Sequence, residues 1–230
     1  MRREITGFSN PLLKDIRGLR EKKLRKRAGL FLAEGLRIMT EAREAGFLPE
    51  MLFRVKDRPV HDLEVALEAD VLANNGDVIE TSAEIMAKLS GKDNAQAVVG
   101  VYRDHGTALA DIERATAPIW LVAQAMRDPG NLGTMLRTGD AVGAGGLILI
   151  DDCTDPFSVE AVRASMGAVF TQKIVQCRWD EFMTWLRAGD GQLVGTSLQT
   201  DTDYQAAHYS SPCFILTGNE AQGLPDDYEG

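Results

Sequence analysis

"IWLVAQAMRDPGNLGTMLRTGDAVGAGGLILID", from Ile119 to Asp151, decides the fold class. An apolar run breaks at Asp128-Pro129-Gly130-Asn131, and a helical pattern follows in which Leu132, Met135, Leu136 and Gly139 recur at i, i+3, i+4 and i+7. Glycines from Gly143 to Gly146 end the helix and admit a second apolar run. Apolar strands that alternate with helices imply a parallel sheet covered on both faces. The rhythm continues through "KIVQC", "QLVGTSL" and "CFILTG", with "SVEAVRASMGAVF" and "WDEFMTWLRAG" as the further helices. Ligand sites in such sheets lie at the carboxyl ends of the strands, here the loops after Gln124, Asp151, Ser197 and Thr217.

Upstream the punctuation predicts a smaller α/β domain. A basic helix, "PLLKDIRGLREKKLRKRAG", precedes the strand "LFLAEG" and the amphipathic helix "GLRIMTEAREAG", closed by Gly46. "MLFRV", "DVIE" and "AVVGVY" read as strands, and "TSAEIMAKLS" as a helix capped by Thr81 or Ser82. The expected division is residues 1–105 as an N-terminal domain, 106–117 as an acidic, small-residue linker, and 118–230 as a second domain.

Composition narrows the function. The net charge of −9 over 230 residues speaks against a generic nucleic-acid coat, yet residues 1–27 hold ten Lys or Arg against three acids. That local balance of +7 leaves 15 basic and 31 acidic residues, −16, in the rest of the chain. The asymmetry points either to an RNA or phosphate contact or to a solvated helix face. Lys14, Arg17, Arg20, Lys22, Lys23, Arg25, Lys26 and Arg27 are its candidate RNA contacts. Three scattered cysteines without a C-x-x-C suit a reducing compartment, and three dispersed histidines give no zinc spacing. No apolar run reaches membrane-spanning length, so the expectation is a cytoplasmic protein with neither a membrane segment nor a metal.

The glycine-rich loop is not a nucleotide fingerprint. It offers only "GNLG" where a dinucleotide site needs G-x-G-x-x-G, and no phosphate-loop motif ending in Gly-Lys-Ser/Thr occurs. Two polar residues remain, Asn131 near the helix start and Arg137 on its flank. A flank arginine is either a solvated side chain or a guanidinium aimed at phosphate, for which its planar fork is suited. A second dense stretch, "FILTGNEAQGL" (Phe214–Leu224), breaks a strand into Gly-Asn-Glu at the sheet rim. A third, "VRASMGAVF", sets Arg163 in a small-residue helix.

In this order "DPGNLGTMLRTGDAVGAGGLIL", "VRASMGAVF" and "FILTGNEAQGL" resemble the motifs of the SpoU (TrmH-like) RNA 2′-O-ribose methyltransferases of the SPOUT superfamily. "FLAEGLRIMTEA" is similar to the ribosomal-protein-like substrate-binding domain that precedes the catalytic domain in members acting on ribosomal RNA. The resemblance implies S-adenosylmethionine as methyl donor, a trefoil-knotted parallel α/β domain and a homodimer. Large-subunit ribosomal RNA is the implied substrate, with transfer RNA, a noncatalytic RNA-binding protein and a small-molecule nucleotide enzyme as the competing expectations. It makes Arg137, Asn131 and Glu220 the catalytic residues. Thr196, Ser197, Gly218, Asn219, Gly223 and Leu224 become cofactor contacts, and Arg163 joins the RNA contacts. A guanidinium stays protonated, so the role expected of Arg137 is to anchor phosphate and polarise the ribose 2′-hydroxyl. The family's third motif does not follow Leu224, where the sequence reads "PDDYEG", and a missing C-terminal tail is the expected reason.

Overall fold

A computed structural model describes residues 1–91, 95–197 and 199–228. In chain order the first elements are β1 (Arg2–Ile5), α1 (Pro11–Gly18), α2 (Lys22–Ala28), β2 (Leu30–Glu34), α3 (Leu36–Glu44), β3 (Met51–Val55), α4 (Asp62–Ala73), β4 (Asp77–Thr81), α5 (Ala83–Ser90) and β5 (Val98–Arg103). Then come β6 (Ile119–Gln124), α6 (Pro129–Ala141), β7 (Gly146–Ile150), α7 (Val159–Ser165), α8 (Ala168–Thr171), β8 (Lys173–Cys177), α9 (Trp179–Arg187), β9 (Gln192–Gly195) and β10 (Cys213–Thr217). The chain forms two compact units, one of residues 1–104 with 157–170, the other of 105–156 with 171–230.

The first unit is built on a mixed sheet ordered β1-β4-β3-β5-β2, in which β1, β4 and β3 run parallel and β5 pairs antiparallel with β3 and β2. Leu13 and Ile16 of α1, Ile85 and Leu89 of α5 and Val159 of α7 pack with Leu32, Phe53, Ile79 and Val99 in one core cluster. Phe31, Tyr102, Phe157 and Phe170 make an aromatic cluster, with Phe31 to Phe157 at 4.9 Å and Tyr102 to Phe170 at 4.7 Å between ring centres. The residues after α7 thus belong to this unit. Gly167, at φ +105, sits where a Cβ would lie 2.7 Å from the Cβ of Glu41.

Three features of this unit differ from the sequence reading. The single basic helix is two, α1 and α2, because the chain turns at Leu19 and Arg20 and the Arg25 guanidinium donates to both of their carbonyls, at 2.9 and 2.7 Å. Strand β1 carries no apolar alternation because "RREI" is charged on an edge, with only Ile5 buried. Helix α4 lacks an apolar stripe because carboxylates occupy its inner face. Its buried positions are Glu64, Leu67, Glu68 and Val71, a regular i, i+3, i+4, i+7 stripe with two acids in it. Arg54 lies 3.4 Å from Glu64 and 2.9 Å from Glu68, Arg58 lies 2.6 Å from Glu64, and Arg2 pairs with Glu68.

The second unit carries the parallel sheet expected from its apolar runs, in the order β8-β7-β6-β10-β9. From β6 the chain winds outward through β7 to β8, then returns to the other side of β6 for β9 and β10. Its core gathers Trp120, Val122, Ile148, Ile150, Val175, Phe182, Phe214 and Leu216. Gly145 admits the Trp120 ring, which would stand 2.5 Å from any Cβ there. The segment read as a linker is folded onto this unit. Ile112 and Ala117 are buried in its core. Arg114 stacks on Trp185 at 3.8 Å and donates to the carbonyls of Leu186, Asp190 and Trp185.

Candidate active site

The strand order reverses between β6 and β10, so the loops leaving those neighbours diverge and open a crevice at their carboxyl ends. The loop after β6 turns through Ala125, at φ +48, and starts α6 with a local cap: the Asp128 carboxylate accepts from Asn131 N at 2.7 Å, and Pro129 takes the first helical position. Leu132, Gly133, Leu136 and Gly139 form the buried face of α6, and Met135 is half-buried. Gly139 brings the helix close to β6, since a Cβ would lie 2.9 Å from Leu121 Cδ1. Asn131 and Arg137 are left exposed.

The loop after β10 is a tight hairpin in which Asn219 and Gly223 exchange backbone hydrogen bonds at 3.0 and 2.9 Å. Only glycine fits at 218, where a Cβ would stand 2.2 Å from the Gly223 carbonyl carbon. Asn219 braces both loops. Its Oδ1 accepts from Ala221 N and Gln222 N, and its Nδ2 donates to Ala125 O at 2.8 Å. The next residue closes the clasp: the Glu220 carboxylate accepts from Arg127 N at 3.1 Å, Asp128 N at 3.0 Å and Asn131 Nδ2 at 3.5 Å. Desolvation pushes its pKa up, but these hydrogen bonds, with one from its own amide, outweigh that and hold the carboxyl below its ordinary range.

Of the three catalytic candidates, Asn131 and Glu220 are thus brought into contact from positions 89 residues apart. Arg137 lies further along the same helix with no hydrogen-bond or ion-pair partner among the described residues. Thr196 N and Oγ1 both donate to Leu216 O, at 2.9 and 3.2 Å, which ties the end of β9 to β10. The Ser197 hydroxyl accepts from Gln199 N. Leu224 is buried, and its Cδ1 comes within 3.2 Å of where a Gly195 Cβ would stand. The cofactor candidates Thr196, Ser197, Gly218, Asn219, Gly223 and Leu224 therefore lie on loops leaving adjacent strands.

Sequence reasoning missed part of this rim. Arg127 and Asp128 contribute backbone N–H groups, which no residue pattern advertises. Asp151 accepts from Trp179 N and from the Tyr228 hydroxyl, while Trp179 and Tyr228 stack with ring centres 3.7 Å apart. Among the described residues no group of His, Cys, Asp and Glu is placed to hold a metal ion, and no helix is long and apolar enough to cross a membrane.

The basic candidates divide. Lys14, Arg17, Lys22, Lys23, Lys26 and Arg27 are exposed and Arg20 is half-buried. Arg25 departs from the surface role expected of it: it is 5% exposed and holds the turn between α1 and α2. Arg163 is committed to Glu34, Nη2 to Oε2 at 2.5 Å. Burial pushes the Glu34 carboxyl up despite the opposing hydrogen bond and charge of Arg163 and the charge of Arg20.

A parallel α/β sheet with a polar clasp at its switch point defines a ligand-binding rim served by loops of two neighbouring strands. Comparison with known proteins makes this specific. Residues 118–229 match the SpoU rRNA Methylase family, and residues 10–100 match the MRM3-like substrate binding domain. The 23S rRNA (uridine(2479)-2′-O)-methyltransferase of Streptomyces viridochromogenes is 30% identical over 87% of this chain and 71% of its own length. The 23S rRNA (guanosine(2553)-2′-O)-methyltransferase RlmP of Bacillus subtilis is 29% identical over 96% of this chain and 84% of its own. Among solved structures, the AdoMet-bound rRNA methyltransferase from Sinorhizobium meliloti superimposes with a TM-score of 0.91 at 37% identity, covering 99% of this chain and 85% of that one. The chain belongs to the SpoU rRNA methylase family.

Proposed function

We propose that this protein transfers a methyl group from S-adenosylmethionine to a ribose 2′-hydroxyl of large-subunit ribosomal RNA. The observation that carries the reading is the Glu220 clasp, which ties the β10 hairpin to the start of α6 and so fixes the helix that presents Asn131 and Arg137. Relatives named for 2′-O-methylation of 23S rRNA support the substrate class.

The residues at the rim fit the donor. Leu224 gives an apolar floor, packed against the glycine that ends β9, and Gly223 has nothing within 4 Å of where a Cβ would stand. Thr196, Ser197, Gly218, Asn219, Gly223 and Leu224 are the residues that would hold it. Bound there, S-adenosylmethionine supplies a methyl carbon activated by a sulfonium. The chain's own task is to hold the 2′-oxygen in line with that carbon, so that an O–C bond forms as the S–C bond breaks, and to ease the loss of the hydroxyl proton to solvent water. Arg137, exposed and without a partner among the described residues, binds the adjoining phosphate through its guanidinium and lowers the cost of negative charge on the 2′-oxygen. Asn131 orients the ribose beside it. Glu220 is a positioning residue, acting through the loop amides it binds.

In the same proposal residues 1–105 bind the RNA and residues 118–230 carry the transfer, the enzyme works as a homodimer, and its place is the cytoplasm. The family resemblance supports the first two and the scattered free cysteines support the last. The test is transfer of label from S-adenosylmethionine to ribosomal RNA by the purified chain, with the 2′-O-methyl position mapped. Label that enters a base, or none with S-adenosylmethionine unbound, rules the reading out.

A further inference from the structure

The basic N-terminal residues are not one uniform patch. Lys14 and Arg17 of α1, Arg20 and Glu21 of the turn, Leu24 of α2 and Lys88 of α5 line an open cavity of about 660 Å³, which ends at Gly91. Four cations face one carboxylate across it. None of the four has an ion pair or a hydrogen-bonded carboxylate among the described residues, and the charge of Arg20 is felt at Glu34; several other cations of this unit are paired, as in Arg3–Asp77, Arg43–Asp70 and Lys56–Glu4.

The cavity is a built feature. Arg25 fixes its back wall by binding the carbonyls of Leu19 and Arg20, and Gly18 lets Leu24 close in, since a Cβ there would lie 2.9 Å from Leu24 Cδ1. Gly91, at φ +64, ends α5 and leaves room for the Arg20 guanidinium, whose Nη1 would stand 2.4 Å from a Cβ. That Nη1 is buried with no hydrogen-bond partner among the described residues. Lys88 is aimed by the Phe8 ring, with Nζ 3.9 Å from its centre. The negative end of α5 accounts for Arg20 and Lys88 lying near it. It does not account for Lys14 and Arg17, like charges at i, i+3 on a different helix, whose mutual repulsion a bound anion would relieve beyond what Glu21 alone supplies.

We infer that the turn between α1 and α2, with the end of α5, is a seat for one phosphodiester of the RNA substrate, and that Lys88 belongs to the RNA-binding residues. The occupant rests on the RNA-binding part of the proposed function; the seat rests on its own geometry. Guanidinium forks and a flexible ammonium suit a tetrahedral anion. Contacts to a backbone phosphate hold RNA in register without reading its sequence.

The test uses the full chain and a fluorescein-labelled RNA hairpin of about 30 nucleotides, with affinity followed by anisotropy from about 50 to 300 mM KCl. Arg17→Ala and Lys88→Ala are each expected to weaken binding about 3- to 10-fold at low salt. Each should flatten the slope of log K against log salt by about 0.7–0.9, the loss of one phosphate contact. Lys88→Arg should restore both. Affinity for S-adenosylmethionine, measured by calorimetry on the same proteins, should not move. Variants with wild-type affinity and slope overturn the seat, as does a wild-type chain that binds no RNA. A chain that binds RNA with this dependence on Lys88 and Arg17 but does not bind S-adenosylmethionine sustains the seat and ends the methyltransferase reading.

Discussion

The two units treat charge in opposite ways. Of the charged residues buried among those described, Arg25, Glu34, Arg54, Glu64 and Glu68 lie in the first unit and only Asp155 in the second. The mixed sheet spends its charges on itself: α4 turns two acids inward and three arginines follow them. The parallel sheet has an apolar core and keeps its polar groups on the loops at its carboxyl ends, where neighbouring strands diverge. A count of charges in the sequence therefore overstates the charge the first unit exposes, while a few exposed polar residues in the second make up most of the candidate site.

The sharpest way to break that contrast is to remove the hub of the buried network. Arg54→Ala leaves Glu64 and Glu68 without their shared cation and should cost about 3–5 kcal/mol, read as a lowered midpoint in urea unfolding. The opposite behaviour is expected of Arg137→Ala. Methyl transfer should fall about 100-fold or more, with the unfolding midpoint and S-adenosylmethionine affinity unchanged, because an exposed side chain without partners among the described residues contributes to the reaction and not to the fold. Near-normal transfer by this variant would remove Arg137 from the site. Asp128→Ala, which loses the cap of α6, should destabilise the second unit by about 1 kcal/mol and lower activity modestly. The smallest effect is a pH dependence confined to the clasp. The Glu220 carboxyl is held below its ordinary range, so its contribution is complete above the unfolded value near 4.5 and fades as pH falls through the lower folded value. Amide exchange at Arg127 and Asp128 should be flat from neutral pH down to about 5 after correction for intrinsic rates, and rise only in acid. Glu220→Gln should make it fast at every pH.

The same contrast explains what could be read in advance. The parallel strands were legible because buried strands are continuous apolar runs, and α6 because its stripe is clean. Helix α4 was not, since its stripe is completed by Glu64 and Glu68 and only the fold supplies the arginines that allow it. The turn within the basic segment was hidden because Arg25, one more cation in a row of them, is the residue that makes it. At the candidate site, Asn131, Arg137 and Glu220 stand out through family likeness. Their linkage did not, because it runs through main-chain amides of Arg127 and Asp128 and through a strand order that no local pattern encodes. The place of Lys88 beside α1 was invisible for the same reason.

Residues 157–170 leave β7 of one unit, pack Val159 and Phe170 into the other, and return as β8. A gene shortened to residues 105–230 would keep every strand of the parallel sheet and still carry Val159 and Phe170 with their partners deleted. Such a fragment should be prone to aggregation even though its own sheet is whole. The two halves cannot be shuffled as cassettes, and a swap that respects the molecule has to exchange two separate stretches of sequence together, 1–104 with 157–170 or 105–156 with 171–230.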